Sequence, residues 1–520
     1  MDLATWSWIF MVVYISGMLA IGVIGQRRVK HADDFATARG SYGPIFLAFA
    51  FAATTASGAT FLGGPGLGYQ WGFASQWGNF LYPIGVYFGV LISMRLIATT
   101  GNKFGNRSIP EFLGDRYQSE GIRVMVSIFS LVLFFYLAGQ LVSGLVMFEI
   151  FLGLSPFWAL LITTTVLLFY VVLGGAHADI LTDGVQGVMM LILAIVVIVL
   201  VLTGFGVDGG LSGLIDRLET QNSNLVQPLN PESALTHSWW SIIAVLFAHI
   251  PLGLLPHLGN KLWALKGVGD QRTFIKLAFL FGLTLGMMGL GGLLARGLLG
   301  DALLLEGANP NQALPLVFIE LFPTWLAALI GVGILAAIMS TADGLVVSSS
   351  QIVANDLYRR SIAPRLKQPP SEDQLDQQVL TISRVTTVVV LVITMGLAWT
   401  LMETNIALIV WIGTGGMMAA FAGPLVVGAL WRGVTRAGAY TGLASGFATF
   451  LILHMQLLDP SWFGSGWLHG AVVWLHGEGP NPFSCAAMGE AVSVSLTFLV
   501  SRSTQPLPQS HLEGMFTETA

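Results

Sequence analysis

Apolar runs of about 20 residues recur along the whole chain, and this feature limits what the chain can become. A hydrocarbon core about 30 Å thick needs about 20 apolar residues per helix. Within lipid, every backbone N–H and C=O must also find its partner inside the protein. A chain of repeated apolar runs therefore folds as a bundle of membrane helices. Composition removes the soluble alternative. Of 520 residues only 10% are charged and 54% are hydrophobic, with a mean hydropathy of +0.74, whereas a soluble domain carries about 25% charged residues. The net charge of −5 offers nothing to attract nucleic acid. A single cysteine, Cys485, excludes an internal disulfide and a cysteine-based metal site.

The runs predict thirteen spans, at 4–25, 44–69, 76–99, 122–152, 156–174, 179–204, 237–257, 273–298, 324–356, 378–401, 405–430, 437–457 and 484–501. The first is read as a retained span and not a secretion signal. Asp2 stands where a basic region would, the run is too long, and Arg27, Arg28 and Lys30 follow it. Residues 1–502 make one transmembrane domain, with longer polar loops at Phe205–His237 and Asp459–Pro482. The polar tail 503–520 is expected to be cytoplasmic and without fixed structure. With the N-terminus outside, all of the 23 Lys and Arg residues except Arg217 and Arg296 fall on the inner side, as the positive-inside rule requires. The C-terminus is then cytoplasmic, and no basic residue is expected deep in the bilayer.

The second and seventh spans are interrupted. The second reads FAFAATTASGATFLGGPGLGY and the seventh SIIAVLFAHIPLGLLPHLGN. Pro removes a backbone donor and Gly weakens a helix. The freed backbone groups survive in a membrane only beside protein or a wet cavity. Two such spans five helices apart suit an inverted repeat of helices 2–6 and 7–11, about 44–204 and 237–430, with unwound segments facing each other at the midplane. Spans 4–25, 437–457 and 484–501 are then peripheral. Gly-rich helices that merely pack closely give the same composition.

The ninth span holds GILAAIMSTADGLVVSSSQIVANDLY. Ala337, Ser340 and Thr341 stand at i, i+3 and i+4 and share one helical face. An alkali cation needs several hard oxygens. Two hydroxyls and a carbonyl supply half a shell, and carbonyls of an unwound facing segment, at Ala53 and Ala56, can complete it. Hydroxyls in membrane helices also bond the carbonyl at i−4 or a neighbouring helix, so helix packing stays open as the alternative. Acids inside apolar spans are costly and commonly functional. Asp183 and Asp343 are therefore candidates for ion coupling, with a bond to a neighbouring helix end as the alternative.

These motifs carry a resemblance. AAIMSTADG followed by DLY, SGATFLGGPG in span two, LTDGVQGVMM in span six and GLLPHLGNK after span seven resemble the sodium:solute symporter family over about residues 4–450. The resemblance implies an all-α membrane protein with a LeuT-like core of five-plus-five helices and sodium as the coupling ion. It also implies a sodium site at Ala53, Ala56, Ala337, Ser340 and Thr341. Some members hold a second sodium with an acid in span six, here Asp183, and with serines at positions that are Asp343 and Gly344 in this chain. A proline-transporting relative has an acid where this chain has Thr55. The usual Gly-Arg before span two is reversed as Arg39-Gly40.

Within that likeness, pantothenate and monocarboxylate symporters are the most similar. The expected function is sodium-coupled uptake of a small organic acid, with an amino acid, sugar or other neutral solute as the alternative. Candidate substrate contacts are Ser57, Thr60, Gln76, Asn79, Gln140 and His249, with Tyr136, Phe247 and Trp411 as walls. His249 and His257 suit packing as readily as proton relay. A sensor on this scaffold is expected to carry a long signalling domain and a channel a repeated pore loop; neither pattern is present. The absence of a Cys or His cluster, a phosphate loop or a nucleophile elbow speaks against an enzyme.

Overall fold

The computed structural model describes residues 1–516, with side chains throughout except at 170–174. Every regular element in this range is helical. The sole strand-like pairing among the described residues is an isolated bridge between Tyr42 and Leu265. That outcome follows from lipid, where a helix satisfies its own backbone. Each of the thirteen apolar segments lies on a helix. Nine helices among the described residues are long and apolar enough to cross a bilayer alone, or ten if the pair bent by 53° at Leu254–Pro256 is one span. Thirteen crossings are therefore not established by length. Pro44–Thr55 and Pro156–Phe169 are short apolar helices. Spans five and six, moreover, run together as Pro156–Thr203, interrupted only at Gly175 (φ 51°).

Both interrupted spans are broken. The helix Pro44–Thr55 ends at Ala56, whose ψ of 87° leaves the helical region, and Gly64–Trp71 resumes after a wide turn over Ala59–Gly63. Trp239–Ala248 ends at His249. Short turns carry the chain through Pro251 and extended Leu255 to Pro256 and on to Ala264. Glycines on neighbouring helices let other backbones approach these breaks. A Cβ on Gly89, in the helix Gln76–Phe104, would strike the carbonyl of Ile250, and one on Gly292 would strike the carbonyl of Pro65. The helix Thr324–Gln351 runs through the interior and is buried from Gly331 onward. It packs on Pro156–Thr203, Leu133–Leu152 and Leu3–Gln26. Apolar side chains such as Val12, Phe88, Leu91, Ile192 and Val392 point outward, as a lipid-facing surface requires. The two long polar loops carry helices of their own, Gly210–Gln221 and Trp467–Glu478.

The tail departs from expectation. Residues 509–516 form a helix docked on the body, and only 517–520 lie outside the described residues. Thr100 Oγ1 donates to the Met515 carbonyl and Lys103 Nζ to that of Gly514, both at 2.8 Å. The guanidinium groups of Arg116 and Arg432 lie 4.9 and 5.2 Å from the Phe516 ring. A polar composition concealed this because Leu512 and Met515 alone supply the buried face. Phe516→Ala should cost about 1–2 kcal/mol through the two lost cation–π contacts. Limited proteolysis should then release the tail sooner than in the parent protein.

Candidate ion and solute sites

The break after Thr55 places backbone oxygens against the hydroxyl face of Thr324–Gln351. Ser340 Oγ lies 3.0 Å from the carbonyl oxygens of both Ala53 and Ala337. Thr341 Oγ1 donates to the Thr54 carbonyl at 2.8 Å. All of these groups are fully buried. The structure thus brings Ala53, Ala337 and Ser340 together directly. Thr341 meets Thr54, two residues before Ala56, which lies at the break itself. The cluster is uncharged and rich in hard oxygen atoms, the donor type alkali and alkaline-earth cations select.

Beside it lies a second cluster that the sequence did not reveal. Lys261, assigned to an inner loop, is instead buried, with its ammonium against Asp183 and 2.9 Å from Asp179 Oδ2. It also donates to Thr54 Oγ1 at 2.6 Å, and that hydroxyl lies 2.5 Å from Asp183 Oδ2. Asp343 closes the group, accepting from its neighbour Gly344 N at 2.9 Å and from Thr182 Oγ1 at 3.3 Å. Carboxylate oxygens of Asp179, Asp183 and Asp343 all lie within 4.8 Å of one another. Lys261, expected on the inner side, is thus buried within the bundle. The part of the seventh span after its 53° bend, Pro256–Ala264, is buried, and burial of an ammonium is tolerable there because carboxylates pair with it. A signal for the acids was present, since Asp179 and Asp183 are four residues apart and share a helical face. Arg39 takes no part. Its guanidinium pairs with Asp33 at 2.9 Å and bonds the Asn106 carbonyl at 2.7 Å.

Between the two breaks lies a cavity lined by Thr55, Ser57, Thr60, Asn79, Tyr82, Tyr136, His249, Trp411, Thr414 and Phe483, among others. Four of the six expected substrate contacts are in this lining. Gln76 and Gln140 stand behind it. Gln76 Oε1 accepts from Asn79 Nδ2 at 2.8 Å, and Gln140 Oε1 accepts from Gly58 N at 2.9 Å, satisfying a donor that the break frees. Phe247 is no wall; about half of it is exposed, on the outer surface. His249 donates through Nδ1 to the Val245 carbonyl at 2.5 Å, stacks on Phe483 and meets Trp411 edge-on. His257 lies edge-on to Tyr136, and neither of its ring nitrogens has a hydrogen-bond partner.

The sequence profile of the sodium:solute symporter family matches residues 35–446. The chain belongs to this family. Among relatives, the sodium/proline symporter of Salmonella typhimurium strain LT2 is 28% identical over 477 residues, covering 88% of this chain and 87% of the relative. The sodium/pantothenate symporter of Escherichia coli K12 is 26% identical over 461 residues, covering 86% and 91%. A solved structure of a Na+-coupled sialic acid symporter superposes with a TM-score of 0.72 at 20% identity, covering 98% of this chain and all of that one. It shares the fold. The nucleobase-cation transporter Mhp1 is more distant, with a TM-score of 0.50 and 13% identity. This member of the family is a multi-pass membrane transporter and not an enzyme. It couples the movement of a small solute to sodium.

Proposed function

We propose that this symporter carries a small organic acid, of the monocarboxylate or pantothenate kind, together with sodium by alternating access. The observation behind this choice is the cavity chemistry. Among the described residues lining it there are hydroxyls, an amide and aromatic rings, but no Asp, Glu, Lys or Arg. An amino acid's ammonium group would meet no carboxylate, for Thr55 stands in the lining. A carboxylate suits the hydroxyls of Ser57 and Thr60 in this lining. Trp411 and Phe483 suit an apolar body. One observation favours a second reading, an amino acid: the similarity to sodium/proline symporters. Radiolabelled acetate, pantothenate, proline and glucose, offered to proteoliposomes with and without a sodium gradient, separate the two. Gradient-driven accumulation of an acid is expected. Accumulation of proline alone overturns the acid reading.

In this reading sodium is held by Ser340 and Thr341 with carbonyls of Ala53, Ala56 and Ala337, while Asp183 and Asp343 act on coupling through their charge. The two broken spans belong to inverted repeats over about 44–204 and 237–430 within one domain of thirteen spans. The N-terminus is outside and the tail cytoplasmic, an orientation supported by the distribution of Lys and Arg. Ser510 is exposed. With Cys485 replaced, Ser510→Cys should resist an impermeant thiol reagent in intact cells and react after permeabilisation. Ready labelling of intact cells would reverse the topology.

A further inference from the structure

Resting on the sodium reading of Ser340 and Thr341 above, we propose that the Lys261 ammonium is a tethered cation standing where a second coupling ion would bind, so that this symporter takes one sodium ion per cycle. An ammonium has three N–H donors, and those of Lys261 have three acceptors: Thr54 Oγ1 at 2.6 Å, Asp179 Oδ2 at 2.9 Å and Asp183 Oδ2. The lysine side chain is 4% exposed and Asp183 is fully buried. The acid through which some relatives hold a second sodium is thus already engaged by a positive charge. A sodium ion entering beside it would be repelled at short range in a low-dielectric interior.

Two neighbouring positions fit a fixed cation better than a mobile one. Neutral serine ligands are replaced by Asp343 and Gly344. Asp343 supplies a further negative charge, and its oxygens lie with those of Asp179 and Asp183. Gly344 supplies space. A Cβ there would stand 3.3 Å from Asp179 Oδ1 and in ordinary contact, at 3.4 Å, with Thr54 Cγ2, so a serine would press on the Asp179 carboxylate that holds the ammonium. The ammonium thus stands where the oxygens of three acids converge. Asp343 is two residues from Thr341, so the cluster borders the hydroxyl set on the same helix. The polar groups bordering the cluster, His257, Asn260, Gln186 and Tyr14, add no fixed charge.

The test is equilibrium binding of radiolabelled sodium to the purified full-length protein in nanodiscs. The parent protein should saturate at one ion per chain, and methylammonium should not compete. Lys261→Ala opens the position, so binding should saturate at two, with methylammonium displacing one. Lys261→Gln combined with Asp343→Ser keeps the net charge of the cluster and should also bind two; it carries the comparison if Lys261→Ala does not fold. Two ions in the parent protein overturn the tethered cation and leave the Ser340–Thr341 site standing. One ion in the folded variants also overturns the tethered cation. No sodium bound to the parent protein overturns the sodium reading itself, and the tethered cation with it.

Discussion

Ser340→Ala or Thr341→Ala should raise the sodium concentration for half-maximal uptake by roughly ten- to a hundredfold. In the proposed site, a sodium ion would lie among the Ser340 hydroxyl and the Ala53 and Ala337 carbonyls, which the structure brings within 3.0 Å of that hydroxyl. Removing one hydroxyl leaves the cation a ligand short. A hydrogen bond to a charged group is worth about 1.5–3 kcal/mol, and about 1.4 kcal/mol is tenfold in affinity. Apparent solute affinity at low sodium should fall as well, because coupling between sites is reciprocal, and saturating sodium should partly restore it. Ser350→Ala is the control. That hydroxyl bonds its own helix at Val347 and lies over two turns further along. Ser348 is unsuitable because it borders the cavity beside Lys261 and Asp179. Hydroxyls that serve only helix packing would lower expression and leave the sodium curve unchanged, and such a curve in both variants would remove sodium from this position.

Lys261→Met should destabilise the protein by about 3–5 kcal/mol in sodium-free buffer, the usual cost of stranding one side of a buried ion pair. Three buried carboxylates would be left without their cation. Asp179→Asn should cost less, because Asp183 and Asp343 continue to face the ammonium. Thermal unfolding of the detergent-solubilised variants, followed at low and high sodium, measures both effects. If sodium can occupy the vacated position, added salt should recover stability in Lys261→Met by mass action, and choline chloride at equal ionic strength should not. Equal stability of Lys261→Met and the parent protein would mean that the cluster is not held together by charge.

The functional parts differ in how legible they were. The presence of a break in each of spans two and seven could be read from the Gly and Pro that interrupt apolar sequence. Pro251 and Pro256 lie at the break of span seven, whereas span two breaks at Ala56, several residues before Gly63, Gly64 and Pro65. The hydroxyl face of Ser340 and Thr341 was legible as well, helical spacing being a property of the chain alone. Gln76 and Gln140 were assigned to the solute, yet their amides bond Asn79 and Gly58 N. Sequence shows that a polar residue lies in a membrane segment but not which side of it faces the cavity. The tail was expected to lack structure, and two buried apolar side chains on one short helix were enough to dock part of it.

Sequence by itself determined that this is a helical membrane protein, which of its spans break and which hydroxyls share a face. Those properties follow from residue chemistry and from the 3.6-residue period of a helix, and they need no partner distant in the chain. Only the tertiary structure decided that Lys261 meets Asp183, 78 positions away, and that Asp343, on a third helix, joins the same cluster. A lysine just past a hydrophobic run reads as a loop residue, since free ammonium groups belong in water. It becomes an interior residue because the segment after the 53° bend at Leu254–Pro256 is buried and because carboxylates from two other helices are gathered there to pair with it.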